Sequence, residues 1–442
     1  MIRHRTYHIG FFLGIGIFLF GCKNEVPDLD DFVPAATEDI VLYEVNTPYM
    51  STTHDLKGLE ERLDAIQSLG VNTIWLMPIY PVGIVNAFGS PYCVRDYYNV
   101  NAGLGDMDDL RDLVQAAHER NMAVILDWVA NHTAWDNPWI ANTDWYSQDA
   151  YGNIISPPGT GWNDVADLNY NNADMRLAMI DAMEYWIAEA NIDGFRCDAA
   201  DYVPFDFWQQ AIDSLHHFTD KDLILLAEGS RYDHFIAGFQ MNYAWSFMTT
   251  MKNIFDGTSN ASAAFITNTS EYSAVPDGAQ KLRFITNHDE SNIATPPTVY
   301  GSKEAALAAF VITAYLQGVP LIYCGQEVGV SSTSVYTNTN SINWDINPDL
   351  LAKYQSVMQF YAYSPVARNG DLTTYADPDI CLFTKYMNSA DVLVAVNVRN
   401  TPGSMALPAE LQGYWSNALT GEAVDAGTEL SLDANGYVVW RR

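Results

Sequence analysis

Basic residues are scarce in this chain. Lysine and arginine total 22 of 442 residues, against 54 aspartates and glutamates, for a formal charge of −32. That balance excludes nucleic acid and anionic lipid headgroups as partners, since both demand a basic surface. The acidity itself reads as solubility. Cysteine is also scarce, at five residues. Their spacing excludes a cysteine-built metal centre. Cys197 and Cys324 fall in apolar runs and read as small buried hydrophobes. Long apolar runs are absent apart from Ile9 to Phe20, so nothing later in the chain is expected to cross a membrane. There is no HExxH, no GxSxG and no Walker loop, and Gly103-Leu104-Gly105 lacks the third glycine of a dinucleotide fingerprint.

The one apolar run sits behind Arg3, His4 and Arg5 and ends Leu19-Phe20-Gly21-Cys22. It is expected to be a targeting segment over residues 1–21, with Cys22 lipidated as the mature terminus and residues 22–38 as an acidic, proline-containing tether. An ordinary signal peptide or an uncleaved anchor would leave the same run. The lipoprotein reading puts the protein in a bacterial cell envelope, membrane-held through Cys22, where disulfides can form.

What the chain has in quantity is apolar and aromatic residues. Hydrophobic residues make up 48%, enough for a large core. Aromatics reach 13%, with 12 Trp and 26 Tyr, residues that stack on sugar rings while hydrogen-bonding at their edge.

Apolar strands that end in acids organise the rest. Leu223 to Ala227 leads into Glu228, Val124 to Leu126 into Asp127, Ile192 to Arg196 into Asp198, and Leu282 to Asn287 into His288 and Asp289. Unbroken apolar runs suit strands buried on both faces, as in a parallel sheet. Ile40–Val45, Thr73–Met77, Phe239–Trp245 and Pro320–Cys324 are further strands. Amphipathic patterns alternate with them, at Leu56–Ile66, Leu110–Ala117, Met175–Ala190, Phe205–Leu215, 258–270, Lys303–Leu316 and Leu350–Tyr361. The order predicts a (β/α)8 TIM barrel over 39–362. The tryptophan-rich stretch 131–172, without clear periodicity, is expected as a short inserted domain after the third strand. Residues 363–442 read as an all-β sandwich domain, with Asn435-Gly436 as a hairpin signal.

Acids at the carboxyl ends of barrel strands stand where such barrels keep their chemistry. Arg196 and Asp198 share a strand face. A guanidinium beside a carboxylate is expected to keep it ionised, which suits a nucleophile. Glu228, among other carboxylates, is expected to favour its neutral form and so to suit a general acid. Two carboxylates in opposed environments are what retaining glycoside hydrolysis requires. Any one of these acids could equally be a solvated strand end or half of an ion pair. His132 and His288 could be structural.

Taken together, these segments resemble the α-amylase family of glycoside hydrolases. Asp127-Trp128-Val129-Ala130-Asn131-His132, Gly194-Phe195-Arg196-Cys197-Asp198, Ala227-Glu228 and Phe284-Ile285-Thr286-Asn287-His288-Asp289 match its four conserved segments in order. Ala166-Asp167-Leu168-Asn169, Gly70 to Pro78 and Gly325-Gln326-Glu327 are similar to three more. The resemblance implies Asp198 as nucleophile, Glu228 as acid/base, and Asp289 as a ligand for sugar hydroxyls that helps distort the ring. It implies His132 and His288 as sugar hydrogen-bonders, Arg196 as the group orienting Asp198, and Tyr92 as a ring-stacking residue. It also implies calcium, held by Asn131, Asp167 and a main-chain carbonyl near Tyr202; Asn131 could instead be a structural hydrogen-bonder. Two departures stand out. Asp201-Tyr202 replaces the Lys-His of many amylases, and Cys93 replaces an acid of exo-acting relatives, which favours internal cleavage. The expected activity is endo-hydrolysis of α-1,4 bonds in a starch-like glucan by a monomer. A neopullulanase, cyclodextrinase or transglycosylase activity, or a non-catalytic glucan-binding lipoprotein, are the alternatives.

Overall fold

Eight short parallel strands close on themselves in this chain. The computed structural model describes residues 32–331 and 340–442. The expected targeting run, Cys22 and the first part of the tether lie outside them. Strand β1 is Leu42–Val45, β2 Thr73–Leu76 and β3 Ala123–Val129. The short strands β4 (His132–Ala134) and β5 (Val165–Asp167) form their own antiparallel pair. The barrel resumes with β6 Gly194–Asp198, β7 Ile224–Ala227, β8 Met241–Tyr243, β9 Gln280–Arg283 and β10 Val319–Tyr323, which pairs back to β1. Every residue of β1, β2, β3, β6, β7 and β10 is buried. The apolar runs are continuous because helices cover one face and packed side chains fill the other.

The barrel interior holds Leu42, Trp75, Ile125, Leu226, Met241, Leu282 and Leu321. Phe32 and Ala35 pack on that cluster, and the Phe32 ring stacks on His118 at 4.1 Å. Asp39 is held there by Arg368 and Asn369, each at 2.8 Å. The residues just before β1 therefore close the floor of the barrel, at the pole opposite the strand ends that carry the acids.

Gly194 explains how β6 fits. Its φ is +145°, and a Cβ there would stand 2.0 Å from the Ile224 carbonyl oxygen of β7. Only glycine lets the two strands approach so closely.

Two of the acid-bearing strands differ from the sequence reading. Strand β3 does not stop at Asp127 but runs on to Val129, leaving Asp127 wholly buried. Strand β9 ends at Arg283, so Asp289 is not on a strand end. It lies in the first turn of a helix, His288–Ile293, capped by the Asn287 side chain on the Glu290 N–H. An Asn three residues before a Glu is a helix-start signal, and it prevails over the apolar run preceding it.

Beyond the last barrel helix, Pro348–Tyr363, the chain forms β11 Asp371–Tyr375, β12 Ile380–Met387, β13 Ala390–Asn397, β14 Gly403–Ala406, β15 Gly413–Asn417, β16 Ala423–Ala426, β17 Glu429–Leu432 and β18 Tyr437–Arg441. Six of these make one antiparallel sheet, ordered β11-β12-β13-β18-β15-β16, and β14 pairs with β17. Asn435-Gly436 does turn the chain, but β17 and β18 belong to different sheets, so the turn is not a hairpin. The two sheets share a core of Leu382, Leu393, Met405, Leu430 and Trp440.

Candidate active site

Asp198 closes β6, and Glu228 follows the last residue of β7. With Tyr92, His132, His288 and Asp289 they line one cleft of about 270 Å³. Three acids distant in the text thus converge at one mouth of the barrel.

Beneath the cleft lies Arg196, fully buried. Its Nη1 is 2.9 Å from Asp198 Oδ1 and 2.7 Å from Asp127 Oδ1, and its Nη2 is 2.9 Å from Glu228 Oε1. Its Nε donates to the Tyr243 hydroxyl at 3.1 Å. The sequence reading paired Arg196 with Asp198 alone, and there the structure differs. One cation is shared among three carboxylates. Burial pushes Asp198 well above the ordinary carboxylate range, Arg196 pulls it back, and the charges of Glu228, Asp127 and Asp289 push it up again. A single guanidinium shared in this way offsets the charge of Asp198 only in part.

The loop after β6 serves Glu228. Ala199 adopts φ +46°, a left-handed conformation costly for a residue with a Cβ. Its N–H donates to Glu228 Oε2 at 2.7 Å. Ala200 N–H donates to the Glu228 carbonyl at 2.9 Å, and Glu228 N–H donates to the Cys197 carbonyl at 2.9 Å.

On the other side of the cleft, the Tyr92 hydroxyl donates to Asp127 Oδ2 at 3.0 Å and stands 2.8 Å from His288 Nε2. The Tyr92 and His288 rings stack with centroids 5.2 Å apart. Asp289 Oδ1 is 3.5 Å from His288 Nε2. Glu44 of β1, absent from the sequence reading, completes this side: its Oε1 is 2.5 Å from His288 Nδ1. Burial alone would lower the His288 imidazole, but the carboxylates of Asp289 and Glu44 outweigh it and raise it to about 9. His132 has no such partner. Its Nε2 faces the Tyr92 carbonyl at 3.2 Å, and burial lowers it to about 4. The two histidines therefore face the cleft in different states at neutral pH, one cationic and one neutral.

Glu44 could have been found. It is the lone charge in Ile40–Val45, a strand otherwise apolar but for Tyr43, and a buried acid needs a partner. Tyr243, and Trp75, whose Nε1 donates to Asp127 Oδ2 at 3.1 Å, gave no such sign, because aromatics in strands usually mean core.

Asn131 lies just before β4, its carbonyl accepting the Leu168 N–H at 3.2 Å, and its neighbour His132 is in register with Asp167 of β5. Burial raises the Asp167 carboxyl. A cation beside it would remove that penalty, so these hard oxygens fit calcium. Among the described residues no group of three or more His, Cys, Asp or Glu could hold a metal. Main-chain carbonyls would therefore have to complete the shell.

Comparison with known proteins agrees with this geometry. The family model "Alpha amylase, catalytic domain" matches residues 44–153 and 160–358. The α-amylase MalA of Haloarcula japonica is 27% identical over 91% of this chain and 62% of its own length. Alpha-amylase 3 of Dictyoglomus thermophilum is 29% identical over 68% of this chain and 65% of its own. The chain thus spans a little under two thirds of these curated relatives. A cyclomaltodextrinase of Geobacillus thermopakistaniensis is 26% identical over 89% of this chain and 71% of its own. Among solved structures, the maltogenic α-amylase AmyB of Thermotoga neapolitana superposes with a TM-score of 0.83 at 25% identity, covering 92% of this chain and 99% of its own. With the family model spanning most of the barrel, the chain belongs to the α-amylase family of glycoside hydrolases.

Proposed function

We propose that this enzyme cleaves α-1,4-glucosidic bonds within starch-like glucans, with retention of anomeric configuration. The observation that carries the reading is the shared guanidinium. Asp198 and Glu228 sit on the two terminal nitrogens of Arg196. Carboxyls so joined match a retaining site, where they stand about 5 Å apart, better than an inverting one, which spaces them by roughly 6.5–9.5 Å to admit water.

In this reading an Asp198 oxygen attacks the anomeric carbon while Glu228 gives a proton to the leaving glycosidic oxygen. The bond to the leaving sugar breaks and a glycosyl ester forms on Asp198. Glu228, now a carboxylate, takes a proton from water, which attacks the same carbon and frees Asp198. Arg196 holds both carboxylates and offsets the charge of the departing Asp198. Asp289 and the cationic His288 hydrogen-bond ring hydroxyls, and neutral His132 does the same from the inserted segment. Tyr92 offers its ring to the sugar face.

Asp198→Asn is expected to abolish starch cleavage while melting and glucan binding persist; wild-type-like release of reducing sugar by that variant would end the assignment. Product sizing on amylose, pullulan and cyclodextrin separates internal α-1,4 cleavage from the activities that relatives such as the cyclomaltodextrinase are named for. Calcium belongs to the same proposal as a structural ion at Asn131 and Asp167, with no part in the bond changes. So do a monomeric state, a cell-envelope location and a lipid on Cys22. The lipid is tested by metabolic labelling of wild type against Cys22→Ser.

A further inference from the structure

Asp201 and His234 belong to no part of the mechanism above, yet they stand directly behind the turn that carries Glu228. Asp201 comes three residues after Asp198. Its carboxylate turns away from the cleft and across to the chain leaving β7. There Oδ2 accepts the Ser230 N–H at 3.2 Å and Oδ1 accepts the Arg231 N–H at 3.3 Å. The reverse direction is tied as well: Arg231 Nη1 donates to the Asp201 carbonyl at 2.8 Å and to the Val203 carbonyl at 3.2 Å.

Gly229 shows how closely the carboxylate fits. Its φ is +154°, and a Cβ there would stand 2.4 Å from Asp201 Oδ1 and 2.7 Å from the His234 ring. His234, 1% exposed, puts its Nε2 3.4 Å from Asp201 Oδ1, so the carboxylate is pressed between Gly229 and a buried imidazole. From below, the Gly229 carbonyl accepts the Tyr243 N–H at 3.0 Å, and the Arg231 carbonyl accepts Asn242 Nδ2 at 3.1 Å. The turn Gly229–Arg231 is thus held from two sides. On the side of the loop Ala199–Val203, only the Asp201 side chain accepts the turn's own N–H groups, with Arg231 Nη1 crossing in the other direction.

We propose that Asp201 is a positioning residue for the general acid. By stapling the turn Gly229–Arg231 to the loop Ala199–Val203, it fixes the carboxyl of Glu228 against the Ala199 N–H and over the leaving oxygen. A displacement of about 1 Å at such a group costs on the order of 10²-fold in rate. The inference rests on Glu228 being the acid, and the experiment separates the two ideas.

The test compares a maltooligosaccharide, whose leaving sugar must be protonated, with an α-maltosyl fluoride, whose fluoride leaves without a proton. If the acid is misplaced only the first should suffer. For Asp201→Ala, kcat/KM on the maltooligosaccharide is expected to fall by about tenfold or more while the fluoride changes by less than about threefold. Asp201→Asn keeps one oxygen acceptor where Asp201 supplies two, and is expected to recover only part of the loss. Circular dichroism and melting of each variant check that it folds. A parallel fall on both substrates in a folded variant, or no fall on either, overturns the proposal. Glu228→Gln is the control. If that variant hydrolyses the maltooligosaccharide normally, the assignment of the acid has failed instead.

Discussion

At the scale of single residues, Arg196 decides most of the site. It is buried with three carboxylates around it. Removing the cation leaves those charges unpaired, so Arg196→Met is expected to cost about 3–5 kcal/mol and most of the activity. Urea unfolding and a starch assay measure both losses. The two cleft histidines give a second test. His288 is raised from 6.5 to about 9, so it stabilises the fold fully below pH 6.5, and that contribution disappears as pH rises through 9. His132 is lowered to about 4, so it favours the fold above pH 6.5 and its contribution is lost as pH falls through 4. Both slopes point to greatest stability near neutral pH. Imidazole titration by NMR should find one cleft histidine near each extreme, and Glu44→Gln should bring the upper one down. An unmoved titration in that variant would refute the Glu44–His288 pairing.

The sequence was most legible where a residue breaks a local rule. Asp198 and Glu228 stood out as acids ending apolar runs, and both reach the cleft. Glu44 breaks the same rule inside β1 but went unread, since its partner lies far away in the chain. The surroundings of Asp198 were legible only in part for a related reason. Adjacent text showed its pairing with Arg196, and only the folded barrel shows that Arg196 is shared.

At the scale of elements, periodicity carried most of the reading, and the exceptions are short. Strand β8 is only Met241–Tyr243. Asp289 moved from strand to helix because a capping pattern, Asn287 with Glu290, acts locally while an apolar run does not say where it stops. The β6–β7 contact gives a sharp prediction. Gly194→Ala would place a methyl on the Ile224 carbonyl, so strand spacing must yield and the melting temperature should fall by several degrees. A melt equal to wild type would mean that β6 and β7 are not so tightly apposed.

At the scale of the whole molecule, no covalent cross-link is at work among the described residues. Cys93, Cys197, Cys324 and Cys381 are free and buried. Reductant is therefore expected to leave the melting temperature unchanged, even if the protein folds in an oxidising compartment. Exhaustive chelation is expected to lower it if calcium sits at Asn131 and Asp167, and an unchanged melt would count against a structural ion. Strands such as β3, β7, β10 and β13 were readable because a short apolar run marks them, while β11 (Asp371–Tyr375) and β17 (Glu429–Leu432) carry no such run. How the trailing strands pair was not readable: β14 and β17 leave the main sheet, and nothing local in either strand says so.

The central claim is that Asp198 attacks the sugar. It is tested most directly by trapping the enzyme with a fluorinated glucosyl fluoride, which forms the ester quickly and releases it slowly, and then sequencing the labelled peptide by mass spectrometry. The account predicts a single glycosyl adduct on Asp198. An adduct on Glu228 or Asp289, or turnover of true substrate with inverted product and no adduct, would contradict it.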